Sequence, residues 1–310
     1  MGTTGAAGAT SLNNIHGDKP MPTYRPRALL PDDQPGPWSD PVSIAYTQRD
    51  VLLYAVGIGC SDLRQVYEQH PQFAVFPTFA IRWGAAGLKL DTDAIPHSPG
   101  PLMLDAERSL EQLAPLPTEG SVQVRARLLS VHPRPRGAAF AEVEAEVIDA
   151  SGKVCVRMVS GSFRRGVAAL GDIAPFEGAG TARSAKLTMP DRAPDLDLSV
   201  AIPANQAHIY RLSGDYNPLH IAPEAARFGG FEQPILHGLC TYGHCGQLLL
   251  GALCGGDAAR FGALGLRFSS PVYPGDTLRL VGWHDGPGRL IFEGRVGDKT
   301  VVSNASFRYV

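Results

Sequence analysis

One spacing recurs along this chain and limits what it can fold into. Leu53-Tyr54-Ala55-Val56-Gly57 is echoed by Ile209-Tyr210-Arg211-Leu212-Ser213-Gly214. Pro115-Leu116-Pro117, with Gly120 close behind, is echoed by Pro271-Val272-Tyr273-Pro274-Gly275. Tyr54 to Tyr210 and Pro115 to Pro271 are both steps of 156 residues. Ser162-Phe163-Arg164 recurs as Ser306-Phe307-Arg308, now 144 apart, so the second copy is shorter near its end. Three matches in one order argue for a duplicated unit. The fold of one half must then serve for both.

Each copy has the same coarse pattern. A helical stretch comes first (49–57 and 204–212), then a more buried helix (near 77–87 and 237–254). Strand-like runs follow at 122–131, 138–148 and 154–164, and at 263–268 with 278–283, 290–296 and 301–309. Val122-Gln123-Val124-Arg125-Ala126-Arg127-Leu128 and Val143-Glu144-Ala145-Glu146-Val147 alternate as a half-exposed antiparallel strand does. Asp149-Ala150-Ser151-Gly152 and Asp285-Gly286-Pro287-Gly288 are hairpin turns. The fold class is α+β, an antiparallel sheet packed on a helix, twice. The expected division is a Pro/Gly-rich arm over 1–42, a first repeat over 43–167, a linker over 168–197 and a second repeat over 198–310. Seven prolines between Pro20 and Pro41 exclude a helix or a central strand, so the arm should lie over the surface.

Charge narrows the partners. Lys plus Arg number 28 against 30 Asp plus Glu, which excludes a broad nucleic-acid-coating role. The apolar stretch 236–256 is interrupted by His237, His244 and Gln247, so no membrane insertion is expected. The N-terminus lacks the pattern of a secretory signal, and the last residues are not a Ser-Lys-Leu peroxisomal address. A cytoplasmic protein with five reduced cysteines is expected.

The chemistry concentrates in Tyr210-Arg211-Leu212-Ser213-Gly214-Asp215-Tyr216-Asn217-Pro218-Leu219-His220. Gly214 and Pro218 break the helix and fix an irregular turn. Two readings stand open. Asp215 and His220, with Asn217 between them, can converge on a water and shuttle its protons. Equally, Asp215 can cap a helix beginning near Pro218, leaving His220 a satisfied surface histidine. Pro234-Ile235-Leu236-His237-Gly238-Leu239-Cys240 reads as the start of a buried helix. Gly238 in its first turn leaves an N–H open to a ligand carbonyl, as an oxyanion hole requires, and also permits tight helix–sheet packing.

At these residues the chain resembles the MaoC-like, or hydratase 2, family of R-specific enoyl-CoA hydratases, in the two-repeat form found in peroxisomal multifunctional enzymes. YRLSGDYNPLH with Ala226 six positions on, and PILHGLCTYG, carry the likeness in the second half. YTQRDVLLYAVGIG, FAVFPTFAI and LAPLP carry it in the first. The resemblance covers about 43–167 and 198–310. It implies a double hot dog, in which two long helices are wrapped by one continuous antiparallel sheet. It implies that Asp215 and His220 are the catalytic pair, that Asn217 orders the site, and that the Gly238 N–H binds the thioester oxygen. Water would add syn to a trans-2-enoyl-CoA and give the (R)-3-hydroxyacyl-CoA, with no metal and no cofactor beyond the CoA thioester substrate. Phe268 matches a position lining the CoA site, and Arg134 and Arg136 fall where the family meets the CoA phosphates. A homodimer is also implied.

The first copy has Gly57-Ile58-Gly59-Cys60 where the second has Gly214-Asp215-Tyr216-Asn217, so one active site per chain is expected, with the first copy shaping the acyl pocket. Asp105-Ala106-Glu107-Arg108 stands where the family often has His-Gly-Glu-Gln, a stretch it uses against the ligand. That departure motivates a second reading, a dehydratase of specialised or carrier-bound acyl thioesters. A non-catalytic acyl-CoA-binding protein is a third, disfavoured by the intact Asp215/Asn217/His220 set. Gly57-x-Gly59 lacks the third glycine of a dinucleotide loop, and one helix bearing His237, Cys240, His244 and Cys245 rarely makes a complete zinc site. Asn304-Ala305-Ser306 is a glycosylation sequon in a strand-like run.

Overall fold

A computed structural model describes residues 35–84, 98, 102–134, 136–167 and 186–310. The first half comprises β1 (Val42–Tyr46), α1 (Gln48–Gly57), α2 (Leu63–Val66), β2 (Met103–Gln112), β3 (Gly120–Arg134), β4 (Ala138–Ile148) and β5 (Val154–Arg164). The second comprises β6 (Leu196–Ala201), α3 (Gln206–Tyr210), α4 (Pro223–Phe228), α5 (Gly238–Cys254), β7 (Phe261–Phe268), β8 (Thr277–His284), β9 (Arg289–Val296) and β10 (Lys299–Tyr309).

All ten strands form one antiparallel sheet in the order β1-β3-β4-β5-β2-β7-β10-β9-β8-β6. Adding five to each strand number of the first half gives the second half in mirror order. The halves therefore meet through their equivalent strands, β2 and β7, from Glu107↔Arg267 to Glu111↔Ala263. In the middle of that seam Ser109 faces Gly265, its own mate at the 156-residue spacing. Tyr54 and Tyr210, mates at the same spacing, meet edge to face at 6.3 Å. A pseudo-two-fold axis passes through both pairs. One hydrophobic core joins the halves, with Tyr54, Phe76 and Phe79 from the first and Tyr210, Tyr242, Phe292 and Phe307 from the second.

The double hot dog expected from the resemblance is present. Several local expectations change. Each half has five strands, and β1, β2 and β6 were not anticipated. Val42, Leu196 and Asp197 belong to edge strands, since Val-Ser-Ile-Ala-Tyr and Leu-Asp-Leu-Ser-Val-Ala alternate over too few residues to stand out. The buried helix expected near 77–87 is a 3-10 turn at Phe79–Trp83 as far as Gly84, because Phe79 N and Ile81 N close onto Phe76 O and Thr78 O three residues back. The rest of that stretch lies outside the described residues. The 204–212 helix splits into α3 and a 3-10 turn, Arg211–Ser213, which ends on Gly214 at φ 115°.

Of the arm, residues 35–41 are described. They extend the β1 edge along β3, with Gly36 N donating to Leu128 O at 2.8 Å and Ser39 N to Ala126 O at 2.7 Å. Trp38 lies against the guanidinium groups of Arg125 and Arg127, at 4.6 and 4.4 Å. Past the undescribed part of the linker, Leu187 and Met189 pack on Val281, Trp283 and Ile291. All five cysteines are free and buried. No described helix is long and apolar enough to cross a membrane.

Candidate active site

The turn after α3 is built by its own breakers. Gly214 takes the left-handed region at φ 115°, which a side chain would strain. Asn217 then caps the 3-10 turn Pro218–His220, its Oδ1 accepting from Leu219 N at 3.0 Å. Asp215 Oδ1 accepts from Asn217 N at 3.2 Å. Capping thus falls to Asn217, not to Asp215 as the alternative reading of this segment had it. His220 is 8% exposed and donates from Nδ1 to Ile235 O at 2.9 Å. A carbonyl accepts only, so the proton sits on Nδ1 and the neutral ring keeps a lone pair on Nε2. Burial holds the His220 pKa below its ordinary value, opposed by the Ile235 bond and by Asp215.

His237 comes from the residue before α5. Its ring stacks on His220 at 3.8 Å and 26°, and its Nε2 donates to Asp215 O at 3.2 Å. Burial, then the neighbouring His220, lowers its pKa as well. Asp215, His220 and His237 bring one ligand-type atom each within 4.8 Å of the others. His220 Nδ1 and His237 Nε2 are each engaged by a backbone carbonyl, which leaves one nitrogen per ring for any further ligand. Of the other metal candidates, Cys240 Sγ points to Gly57 O at 3.4 Å, and the His244 ring lies against Gly59.

Helix α5 begins without a side-chain cap, whereas α1 carries a full capping box between Thr47 and Asp50. Gly238 is the first residue of α5, so its N–H has no intrahelical acceptor. A Cβ at Gly238 would stand 3.4 Å from the Phe268 ring. The structure thus groups Asp215, His220 and His237, holds their turn through Asn217, and sets Gly238, the residue after His237, against Phe268. Arg134 and Arg136 lie on the β3–β4 hairpin of the first half. Arg134 is exposed over the Phe140 ring at 5.6 Å, and Arg136 is exposed in the turn at φ 64°.

Where the second half has Asp215, the first has Ile58, fully buried against Gly243 of α5. The first half nevertheless reaches the site. A register shift between Asp105 and Glu107 makes a bulge at Ala106, and such a bulge re-aims the side chains beside it. Asp105 takes the Arg108 Nε on both carboxylate oxygens, at 2.8 and 2.9 Å. Its side chain keeps 25% of its surface accessible. Burial raises the Asp105 pKa, Arg108 opposes this, and Asp215 raises it further. Arg82 reaches the same turn, donating from Nη1 to Ser213 O at 2.7 Å. The sequence alone did not point to Arg82, and pointed to His237 only as a candidate zinc ligand. Their signal was available only as polar residues inside otherwise apolar runs, Phe79-Ala80-Ile81-Arg82-Trp83 and Ile235-Leu236-His237.

Residues 185–306 match the MaoC like domain, and residues 44–166 match the MFE-2 hydratase 2 N-terminal domain. A Dictyostelium discoideum protein named probable enoyl-CoA hydratase 2 is 34% identical over 82% of this chain and 87% of its own length. The chain belongs to the MaoC-like hydratase 2 family. The mouse peroxisomal multifunctional enzyme type 2 is 36% identical over 85% of this chain, which spans only 36% of that longer enzyme. The crystal structure of a MaoC-like dehydratase from Phytophthora capsici superposes with a TM-score of 0.75, at 34% identity, over 89% of this chain and 95% of that one. Hydratase and dehydratase are names of hydro-lyases, the enzyme class of this family.

Proposed function

We propose that this MaoC-like protein is an (R)-specific enoyl-CoA hydratase, reversible as a 3-hydroxyacyl-CoA dehydratase. The observation that carries the reading is the tautomer of His220, which leaves the Nε2 lone pair free on a ring that lies close to Asp215 and stacks on His237, the residue before α5. In hydration, His220 Nε2 takes a proton from water as the oxygen bonds to Cβ. The electron pair of the Cα–Cβ double bond moves toward the thioester oxygen, where the Gly238 N–H meets the growing charge. The Asp215/His220 pair then returns one proton to Cα on the same face, so the elements of water add syn. Asn217 holds the turn through its cap, Phe268 covers Gly238, and Arg134 and Arg136 meet the CoA phosphates. No metal or further cofactor enters the balance. The protein would work in the cytoplasm as a homodimer.

A second reading, a dehydratase of specialised or carrier-bound acyl thioesters, is favoured by the Asp105–Arg108 ion pair, which interacts electrostatically with Asp215. Charged groups stabilise a plain alkyl tail poorly. The test is loss of the conjugated thioester absorbance with crotonyl-CoA and with longer enoyl-CoAs, followed by chiral analysis of the product. An (S) product contradicts the stereochemical reading. Turnover that survives both Asp215→Ala and His220→Ala removes the site assignment. Turnover confined to crotonyl-CoA or to acyl groups bearing a polar substituent favours the second reading.

A further inference from the structure

The two halves hold each other's turns, and they do so unequally. The turn sequences match Gly57 to Gly214, one residue beyond the 156-residue spacing; at that spacing itself Gly57 falls opposite Ser213, and both stand at the turn after their helix. The Gly57 carbonyl accepts from Gln206 Nε2 at 2.5 Å and from Cys240 Sγ at 3.4 Å, both from the second half. The Ser213 carbonyl accepts from Arg82 of the first half at 2.7 Å. The pseudo-symmetric contact is thus made by neutral groups on the side without an acid and by a cation on the side that has one.

Arg82 is unusual in its own setting. Its guanidinium lies 4.1 Å from the Phe79 ring centre, with Tyr54 at 5.9 Å and Trp83 at 5.8 Å. Its Nε donates to Phe79 O at 3.3 Å. Among the described residues it makes no ion pair with a carboxylate. A half-buried cation in an aromatic box, with Asp50 near enough to interact electrostatically but not to pair, relies on its hydrogen bonds to backbone carbonyls to offset its lost hydration. The one bond it sends across the halves ends two residues before Asp215.

We infer that Arg82 is a positioning residue, by which the first half fixes the Ser213–Asp215 turn and so aims the Asp215 carboxylate at the reacting water. The Asp215 main chain is then held from both sides, by Arg82 through the Ser213 carbonyl and by His237 through its own. A charged donor keeps that peptide in place where a neutral one lets it rotate, because charge-assisted hydrogen bonds are about twice as strong. The half without an acid–base pair therefore takes part in catalysis through orientation.

This inference rests on the hydratase reading, and its test separates the two. Arg82→Met and Arg82→Lys are compared with the unaltered chain in crotonyl-CoA hydration and in amide hydrogen exchange. In Arg82→Met, kcat falls about 10- to 100-fold with KM within about threefold, since a small misplacement of a reacting group costs rate more than binding. Arg82→Lys keeps more of kcat, and guanidinium ion at non-denaturing concentration restores part of the activity of Arg82→Ala. Amides of residues 213–220 exchange faster in Arg82→Met, while those of β8, β9 and β10 are unchanged. An unaltered kcat with unaltered exchange overturns the inference. So does faster exchange throughout the chain with equal losses in the Met and Lys variants, which assigns Arg82 to general stability. If the unaltered chain hydrates no enoyl-CoA, the functional reading fails, and exchange at 213–220 still decides whether Arg82 holds the turn.

Discussion

The Nδ1 bond from His220 to the Ile235 carbonyl decides which nitrogen works as the base, and burial decides when. The pKa of His220 is held below 6.5, so its neutral form persists to lower pH than in a free imidazole. Hydration needs that neutral form. Activity should therefore hold through neutral pH and fall only as the pH drops through the lowered value. The acid limb of kcat/KM for crotonyl-CoA hydration should have its midpoint below 6.5, and a midpoint at or above 6.5 contradicts the assignment. Asp215→Ala and His220→Ala should each lower kcat by about 10²- to 10⁴-fold, the range for a positioned proton-transfer group. Melting temperatures, measured alongside, should stay near that of the unaltered chain for Asp215→Ala, whose carboxylate makes one hydrogen bond among the described residues, to an exposed amide.

At the scale of elements, the uncapped start of α5 is the feature under test. His237 has φ −56° and ψ 133°, a conformation that the residue before a proline adopts readily. Proline is also tolerated at a first helical position. Gly238→Pro should therefore leave the helix intact and remove the one N–H assigned to the oxyanion, lowering kcat by about 10²- to 10³-fold. Gly238→Ala keeps that N–H and adds a methyl 3.4 Å from Phe268, so it should fold and lose less. Circular dichroism and initial rates on both variants check this. Further along α5, His244 is fully buried with neither ring nitrogen bonded among the described residues, and burial lowers its pKa from 6.5 to about 4. Below pH 6.5 the unfolded chain takes up a proton that the folded chain refuses. Stability should thus be complete above 6.5 and decline toward pH 4, with His244 contributing up to about 3 kcal/mol of the loss. His244→Leu should melt with a flatter pH dependence across that window. Legibility also divides at this scale. The long strands β3, β4 and β5 alternate over enough residues to be read directly, and the 210–220 segment carries its breakers in plain view. β1, β2 and β6 were hidden, the edges by shortness and β2 by the Ala106 bulge, which breaks its period of two. Asp105 and Arg108 could be noticed as a departure, but their place beside Asp215 depends on that bulge. The bond from Arg82 to Ser213 spans 131 residues and has no local pattern to betray it.

At the scale of the molecule, the mirror order of strands makes the two halves one cooperative body. The seam pairs backbone over five positions, and the core draws residues from both halves. Calorimetry should give one unfolding transition with equal calorimetric and van't Hoff enthalpies, whereas two resolved transitions would count against a shared core. The seam has a further consequence, for solubility. Two separate five-stranded sheets would expose four strand edges, each able to recruit a strand from another chain. Fusion through β2 and β7 leaves two. Both are short strands at the rim, of five and six residues. On β6, Asp197 is paired with Arg279 of β8, and on β1, Ser43 bonds Ser121 of β3. Duplication has thus lengthened the sheet while halving the places where amyloid-like growth could begin, and has put polar or charged side chains on those that remain.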